Sequence, residues 1–204
     1  MRLHSLVSSH QLISDQVSPQ EVSIIVSQLE SELERGVRGA IVEFGCYAGT
    51  TSLFIRRLLD AHHLEEPFHV YDSFAGLPDK VAQDQSVAGD QFRIGELLAT
   101  KKQFLHHFHK ANLRPPIVHK AWFNQLNAED IPDEIMFAFL DGDYYESIRD
   151  SLKLITPKLA EGAIIVVDDY ANEALPGASR AVDEWRRNHH VTMRIEASLA
   201  IIRT

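Results

Sequence analysis

The chain has 204 residues, 45% hydrophobic and 24% charged, ordinary values for one α/β domain with a sizeable core. Its formal net charge is −9, which argues against a nucleic-acid partner, since that needs clustered positive charge. No apolar run approaches the roughly 20 residues that cross a bilayer, so no membrane partner is expected.

The one locally basic stretch, "TKKQFLHHFHK" at 100–110, reads as a solvated helix face. A single cysteine, Cys46, precludes an intrachain disulfide, and the first sixteen residues hold no apolar signal core. Both point to a reducing, cytoplasmic setting. The eleven histidines are scattered and read as surface residues, not as metal ligands.

Along the chain, "SPQEVSIIVSQLESELERG" opens a helix with Ser18 as N-cap, Pro19 at the first helical position and Glu21 completing a capping box. Val22, Ile25, Leu29 and Leu33 follow at helical spacing, and Gly36 can end the helix. Residues 40–44, "AIVEF", read as a buried strand, 49–62 as a helix and 68–72, "FHVYD", as a second strand. The stretch 73–90 is irregular, and the region 73–95 suits a lid or substrate loop. A helix is predicted over 91–112, short strands over 116–120 and 134–140, and an amphipathic helix over 147–162 that ends at Gly162. A fifth strand, 163–167, a helix at 179–190 and a terminal hairpin, "VTMRIE" with "LAIIRT", complete the chain.

This alternation predicts a single α/β domain over 1–204, with an N-terminal helical segment at 1–37. Its core is a doubly wound, Rossmann-like, mostly parallel seven-stranded sheet ending in an antiparallel hairpin. Ligands in such folds bind beyond the carboxyl ends of the strands, at the switch point.

The candidate residues lie at four strand ends. "VEFGCYAGTTS", 42–52, makes a glycine turn from Gly45 to Gly49, but Tyr47 stands where a pyrophosphate-binding glycine belongs, and no Gly-Lys-Ser/Thr follows. Dinucleotides and phosphate loops are therefore disfavoured. Glu43 can pair with a cationic ligand or accept hydrogen bonds from the turn. Asp72, ending the second strand, can accept both hydroxyls of a ribose. A cation-tolerant turn with a ribose-binding acid fits S-adenosylmethionine; the plain alternative is a tight strand-to-helix connection.

The fourth and fifth strands end in "FLDGDYYESI" and "AIIVVDDY". If these strands are neighbours, about 4.8 Å apart, Asp141, Asp168 and Asp169 converge. Packed carboxylates repel one another, and a hard divalent cation such as Mg²⁺ relieves this while leaving positions for two substrate oxygens. Asp143, one residue past the turn, reads either as a general base or as the N-cap of the following helix.

"VEFGCYAGTTS", "VYDSFAGLP", "KAWF", "FLDGDYYESI", "GAIIVVDDY" and "PGASRAVDEW" occur in this order. Together they resemble the macrocin O-methyltransferase family over about residues 38–204. The resemblance implies a class I methyltransferase fold, S-adenosylmethionine and Mg²⁺ as cofactors, and a small-molecule acceptor, a sugar or glycosylated metabolite. It also implies metal ligands Asp141, Asp168 and Asp169, a base at Asp143 and ribose contacts from Asp72, with Ser73 beside it. Trp122 falls near the adenine, and the glycine turn contributes Gly45, Tyr47, Gly49, Thr50 and Thr51 to the cofactor. Ala121, Tyr144 and Ile148 depart from the family pattern around the adenine and the substrate wall. A homodimer is compatible with the family. Catechol-type methylation, for which Asp-Asn is commoner than Asp-Asp after the fifth strand, is one alternative. A nicotinamide-dependent or non-catalytic nucleotide-binding domain is another.

Overall fold

The computed structural model describes residues 3–204, with side chains from Leu6 onward. In chain order the elements are α1 Leu3–Ser8, α2 Pro19–Glu34, β1 Ala40–Phe44, α3 Thr50–Ala61, β2 Phe68–Asp72, α4 Lys101–Lys110 and β3 Ile117–Lys120. There follow β4 Ile135–Leu140, α5 Tyr145–Ile155, β5 Leu159–Val167, α6 Pro176–Arg186, β6 Thr192–Glu196 and β7 Leu199–Arg203.

The sheet runs β3-β2-β1-β4-β5-β7-β6. β1 pairs parallel with both β2 and β4, β4 pairs parallel with β5, and β7 pairs antiparallel with β5 and β6. Successive side chains on a strand face opposite ways, so apolar runs feed two cores. Ile41, Phe137, Phe139, Ile164 and Val166 pack with α2 and α3 on one side. Val42, Phe44, Ala138, Leu140, Ile165 and Val167 pack with α5 and α6 on the other. The winding reverses between β1 and β4, which sets the switch point there.

Local chemistry accounts for the helix starts. Ser18 caps α2 with the expected box: Ser18 Oγ accepts from Glu21 N at 3.2 Å, and Glu21 accepts from Ser18 N at 2.8 Å. α4 begins at Lys101, not at 91, because Thr100 and Gln103 form its capping box. Upstream, Gly95 and Leu97 take left-handed backbone (φ 80 and 55), which no helix accommodates, and across the loop Gly95 N donates to Leu77 O while Leu77 N donates to Glu96 O. The irregular segment therefore runs from 73 to 100, broken by one 3-10 turn at Ala82–Asp84.

α5 spans Tyr145–Ile155 instead of 147–162. Pro157 has no N–H to continue the ladder, a 3-10 turn covers Thr156–Lys158, and β5 begins at Leu159 opposite Ile135. Gly162 (φ 74) lies within β5, at an irregularity in its pairing with β4, and does not end a helix. α6 starts earlier than expected, with Pro176 in its first turn, and stops at Arg186, short of His189 and His190.

Candidate active site

A cleft opens over the carboxyl ends of β1, β2, β4 and β5, where ligands of open α/β sheets bind. Asp72, Asp141, Asp143, Asp168 and Asp169 all line it, with no lysine, arginine or histidine among the described lining residues. Leu77, Pro78, Phe92, Leu97, Trp122 and Phe123 give it an apolar wall.

Its floor is two turns packed backbone to backbone. Gly45 has φ 86, and a Cβ there would overlap the carbonyl oxygen of Asp141. The Asp141 N–H donates to Phe44 O at 2.8 Å, joining the ends of β4 and β1. Gly49 (φ 95) starts α3 and leaves room for the ring of Phe104, which a Cβ would meet at 2.8 Å. Left-handed backbone recurs around the cleft: Tyr47, Phe92, Leu97, Asp143 and Asp169 have φ between 44 and 60. Such conformations cost of order 1–3 kcal/mol each, and persist where the surroundings hold them.

Asp72 ties the second strand end to the glycine turn. Its Oδ2 accepts from Cys46 N at 2.8 Å and Tyr47 N at 3.3 Å, and its Oδ1 accepts from Phe74 N at 2.6 Å. A carboxylate has about four lone-pair sites, so roughly one remains for a ligand hydroxyl. Asp72→Ala is expected to weaken both the fold and cofactor binding, each by about 1.5–3 kcal/mol, the worth of charged hydrogen bonds. Calorimetry with S-adenosylhomocysteine and a thermal melt check this. A loss in stability alone would make Asp72 a brace for the turn and nothing more.

Glu43 lies under the turn, not in the cleft. It is 1% exposed and accepts from Ser52 Oγ at 2.5 Å. Burial pushes its pKa up to about 8, against the Ser52 bond and aided by the charge of Asp72. A folded pKa above the unfolded value of about 4.3 means the folded state holds the proton longer. That contribution to stability is complete below about pH 4 and is lost as pH rises through about 8. The wild type should therefore lose Tm relative to Glu43→Gln between pH 6 and pH 9; a constant gap would contradict the assignment. Thr50 and Thr51 are also buried in the first turn of α3 and do not line the cleft, and Thr50 Oγ1 meets Ser14 Oγ at 2.8 Å. Gly45, Tyr47, Ser73 and Trp122 do line it.

The turn after β4 is tight: Tyr144 N donates to Gly142 O at 2.6 Å around Asp143, whose φ is 57. Asp143 is not the helix cap. Tyr144 is the N-cap residue of α5 and offers no side-chain bond. The Asp143 carboxyl is left at the cleft, lifted well above the carboxylate range by burial and by Asp169, Asp168 and Asp72. Asp141 is lifted likewise, by burial first and then by Asp168, Asp143 and Asp169. Burial and Asp169 push Asp168 up to about 7. Burial also raises Asp169, opposed by its bond from Asn172 Nδ2 at 2.9 Å.

The two acidic turns thus meet as expected, since Leu140 pairs with Val167 and Asp168 N donates to Leu140 O at 2.9 Å. Among the described residues, however, no three acidic, histidine or cysteine side chains stand ready-made in a metal-holding group. Asp168 Oδ1 accepts from Asp169 N and Ser198 Oγ. The donor set still suits a hard cation: buried, acceptor-only oxygens that repel one another and face no positive side chain. Gln16, Gln91 and Ser147 also line the cleft. Gln91 falls in the expected loop region, whereas nothing around Gln16 in the sequence marks it.

The order of the sheet, the antiparallel β7 and the cleft at the switch point define a class I methyltransferase fold. The structure of the O-methyltransferase NovP superposes with a TM-score of 0.82, at 25% identity, over 92% of this chain and 80% of that one. The family model for macrocin O-methyltransferases (TylF) matches residues 20–199, and the chain belongs to this family. It is 30% identical over 171 residues to the 8-demethyl-8-(2,3-dimethoxy-alpha-L-rhamnosyl)-tetracenomycin-C 4'-O-methyltransferase of Streptomyces olivaceus, over 80% of this chain. It is 31% identical over 166 residues to demethyldecarbamoylnovobiocin O-methyltransferase of Streptomyces niveus, over 78% of this chain. The chain spans 64% and 62% of the lengths of these two relatives.

Proposed function

We propose that this protein is an S-adenosylmethionine-dependent O-methyltransferase acting on a hydroxyl of a sugar, or of a related small molecule bearing a vicinal diol. The observation that carries this reading is the meeting of Asp141, Asp143, Asp168 and Asp169 in one cleft beside Asp72 and Trp122. Family membership supports it, as do the relatives named for methylating glycosylated compounds.

Asp72 and the glycine turn would hold the ribose side of the methyl donor, with Trp122 against the adenine. Asp141, Asp168 and Asp169 would hold a hard divalent cation such as Mg²⁺. When bound, that cation neutralises the carboxylates and lowers the pKa of an acceptor hydroxyl. Asp143, free of any capping duty, would take the hydroxyl proton while the oxygen attacks the methyl carbon and the carbon–sulfur bond breaks, leaving S-adenosylhomocysteine. The apolar wall excludes water and packs against the body of the acceptor.

The test is incubation with S-adenosylmethionine, Mg²⁺ and an aryl α-L-rhamnoside, beside an aryl catechol of similar size. The proposal predicts a mass gain of one methyl on the glycoside. Methylation of the catechol alone would move the protein to the catechol class.

A further inference from the structure

Asp84 lies in the middle of the 73–100 loop, 4% exposed, in a chain whose cleft residues do not include it. Both of its carboxylate oxygens accept from backbone. Oδ2 accepts from Val81 N at 2.9 Å within its own 3-10 turn, and Oδ1 accepts from Tyr145 N at 2.7 Å, 61 residues away. Tyr145 opens α5, where the first N–H groups have no partner inside the helix. The N-cap, Tyr144, supplies no side-chain acceptor, so Asp84 supplies it from the loop. The same oxygen lies against the start of α6: a Cβ at Gly177 would overlap Asp84 Oδ1 and stand 2.5 Å from Tyr145 N. Glycine is what lets α6 close over the pair.

Two residues before Tyr145, next to the N-cap, is Asp143 in its left-handed turn. A strained turn keeps its shape only while its neighbours over-determine it. On one flank Gly142 packs closely on α5, since a Cβ added to it would stand 2.7 Å from Ser147 Cβ. On the other flank the Asp84 bond fixes the backbone at Tyr145. The loop is also held to the segment after the second acidic turn, where Ser86 Oγ donates to Glu173 O at 2.5 Å.

We propose that Asp84 is a positioning residue for methyl transfer: by capping α5 from the substrate loop, it holds the Asp143 turn in its working geometry and couples that geometry to loop closure. This rests on the methyltransferase reading above.

The test compares Asp84→Ala, Asp84→Asn, Gly177→Ala and the Asp84→Ala/Gly177→Ala double variant. Each is measured by S-adenosylhomocysteine calorimetry, amide exchange over 143–148, and single-turnover methylation of the aryl rhamnoside. Asp84→Ala should bind the cofactor product within about twofold of wild type, because Asp84 does not line the cleft. Its transfer rate should fall by roughly 10²-fold, the cost of a small misplacement of a catalytic group. Amide exchange at 144–146 should quicken about tenfold, as for a lost cap. Asparagine can still accept from Tyr145 N but not also from Val81 N, so Asp84→Asn should keep the rate within about fivefold while the 81–84 turn frays. Gly177→Ala should lose at least as much as Asp84→Ala, because its Cβ meets both the Asp84 carboxylate and Tyr145 N, and the double variant should lose less than the two single losses combined.

Equal losses in the Asn and Ala variants, or wild-type exchange in Asp84→Ala, would overturn the proposal. So would a Gly177→Ala protein with wild-type rate and exchange. If Asp84→Ala does not fold, Asp84→Asn and Gly177→Ala decide between these outcomes. If the wild type leaves the rhamnoside unmethylated, the methyl-acceptor reading fails, and the exchange data alone decide whether Asp84 holds the turn.

Discussion

Asp143→Asn is expected to lower the single-turnover rate of methyl transfer by roughly 10²–10⁴-fold, the usual worth of a positioned base. The loss should fall on kcat and leave KM nearly unchanged, because proton transfer tightens only in the transition state. The fold should survive. Asparagine tolerates left-handed backbone as well as aspartate does, and Asp143 holds φ 57. No helix cap is lost either, since Tyr144 is the N-cap and Asp84 bonds Tyr145 N. Removing one charge from a crowded group of carboxylates should, if anything, raise Tm, because Asp143 is lifted by burial and by Asp169, Asp168 and Asp72. Near wild-type transfer in this variant would show that proton removal does not need Asp143.

Exhaustive chelation is the second large effect. Stripping divalent ions should reduce turnover by about 10²–10⁴-fold, as expected where a Lewis acid contributes several kcal/mol to the barrier. A readout independent of turnover accompanies it. Millimolar Mg²⁺ should raise the Tm of the cofactor-bound wild type, by mass action on the folded state. Asp168→Asn should remove that dependence, since Asp168 sits at the meeting of the two acidic turns with its pKa pushed up to about 7 by burial and by Asp169. Full turnover after chelation, with Tm insensitive to Mg²⁺, would leave the acids as turn formers with a single base among them.

Much of the framework was legible because it is written in short-range chemistry. Ser18, Pro19 and Glu21 announce α2 within four residues, and the apolar runs at 40–44, 135–140 and 163–167 announce buried strands wherever they pair. The acidic turns were legible for the same reason: an apolar strand that ends in carboxylates is unusual on its own, and twice over it marks neighbouring strand ends. Their meeting follows from the β1-β4-β5 order of the sheet.

The remainder depends on partners far away in sequence or on side-chain direction. Glu43 reads as a residue at the mouth of the turn, yet it faces α3 and bonds Ser52. Asp72 reads as open to a ribose, yet three backbone N–H groups occupy most of its lone pairs. The predicted helix at 91–112 fails at Gly95 and Leu97, where left-handed backbone lets the loop bond back to Leu77. Residues 159–161 carry helical spacing but are claimed by pairing with β4, a tertiary effect that no local pattern encodes. The cap of α5 could not be found by any local rule, since its acceptor stands 61 residues upstream.

The central claim is that the cleft over β1, β2, β4 and β5 takes an S-adenosyl cofactor. Calorimetric titration of S-adenosylhomocysteine and, separately, of NAD⁺ into the wild-type protein tests it most directly. The account predicts saturable binding of S-adenosylhomocysteine at one site per chain, weakened in Asp72→Ala, and no heat from NAD⁺, because Tyr47 stands where the pyrophosphate-binding glycine of a dinucleotide site belongs. Binding of NAD⁺ with none of S-adenosylhomocysteine would contradict it.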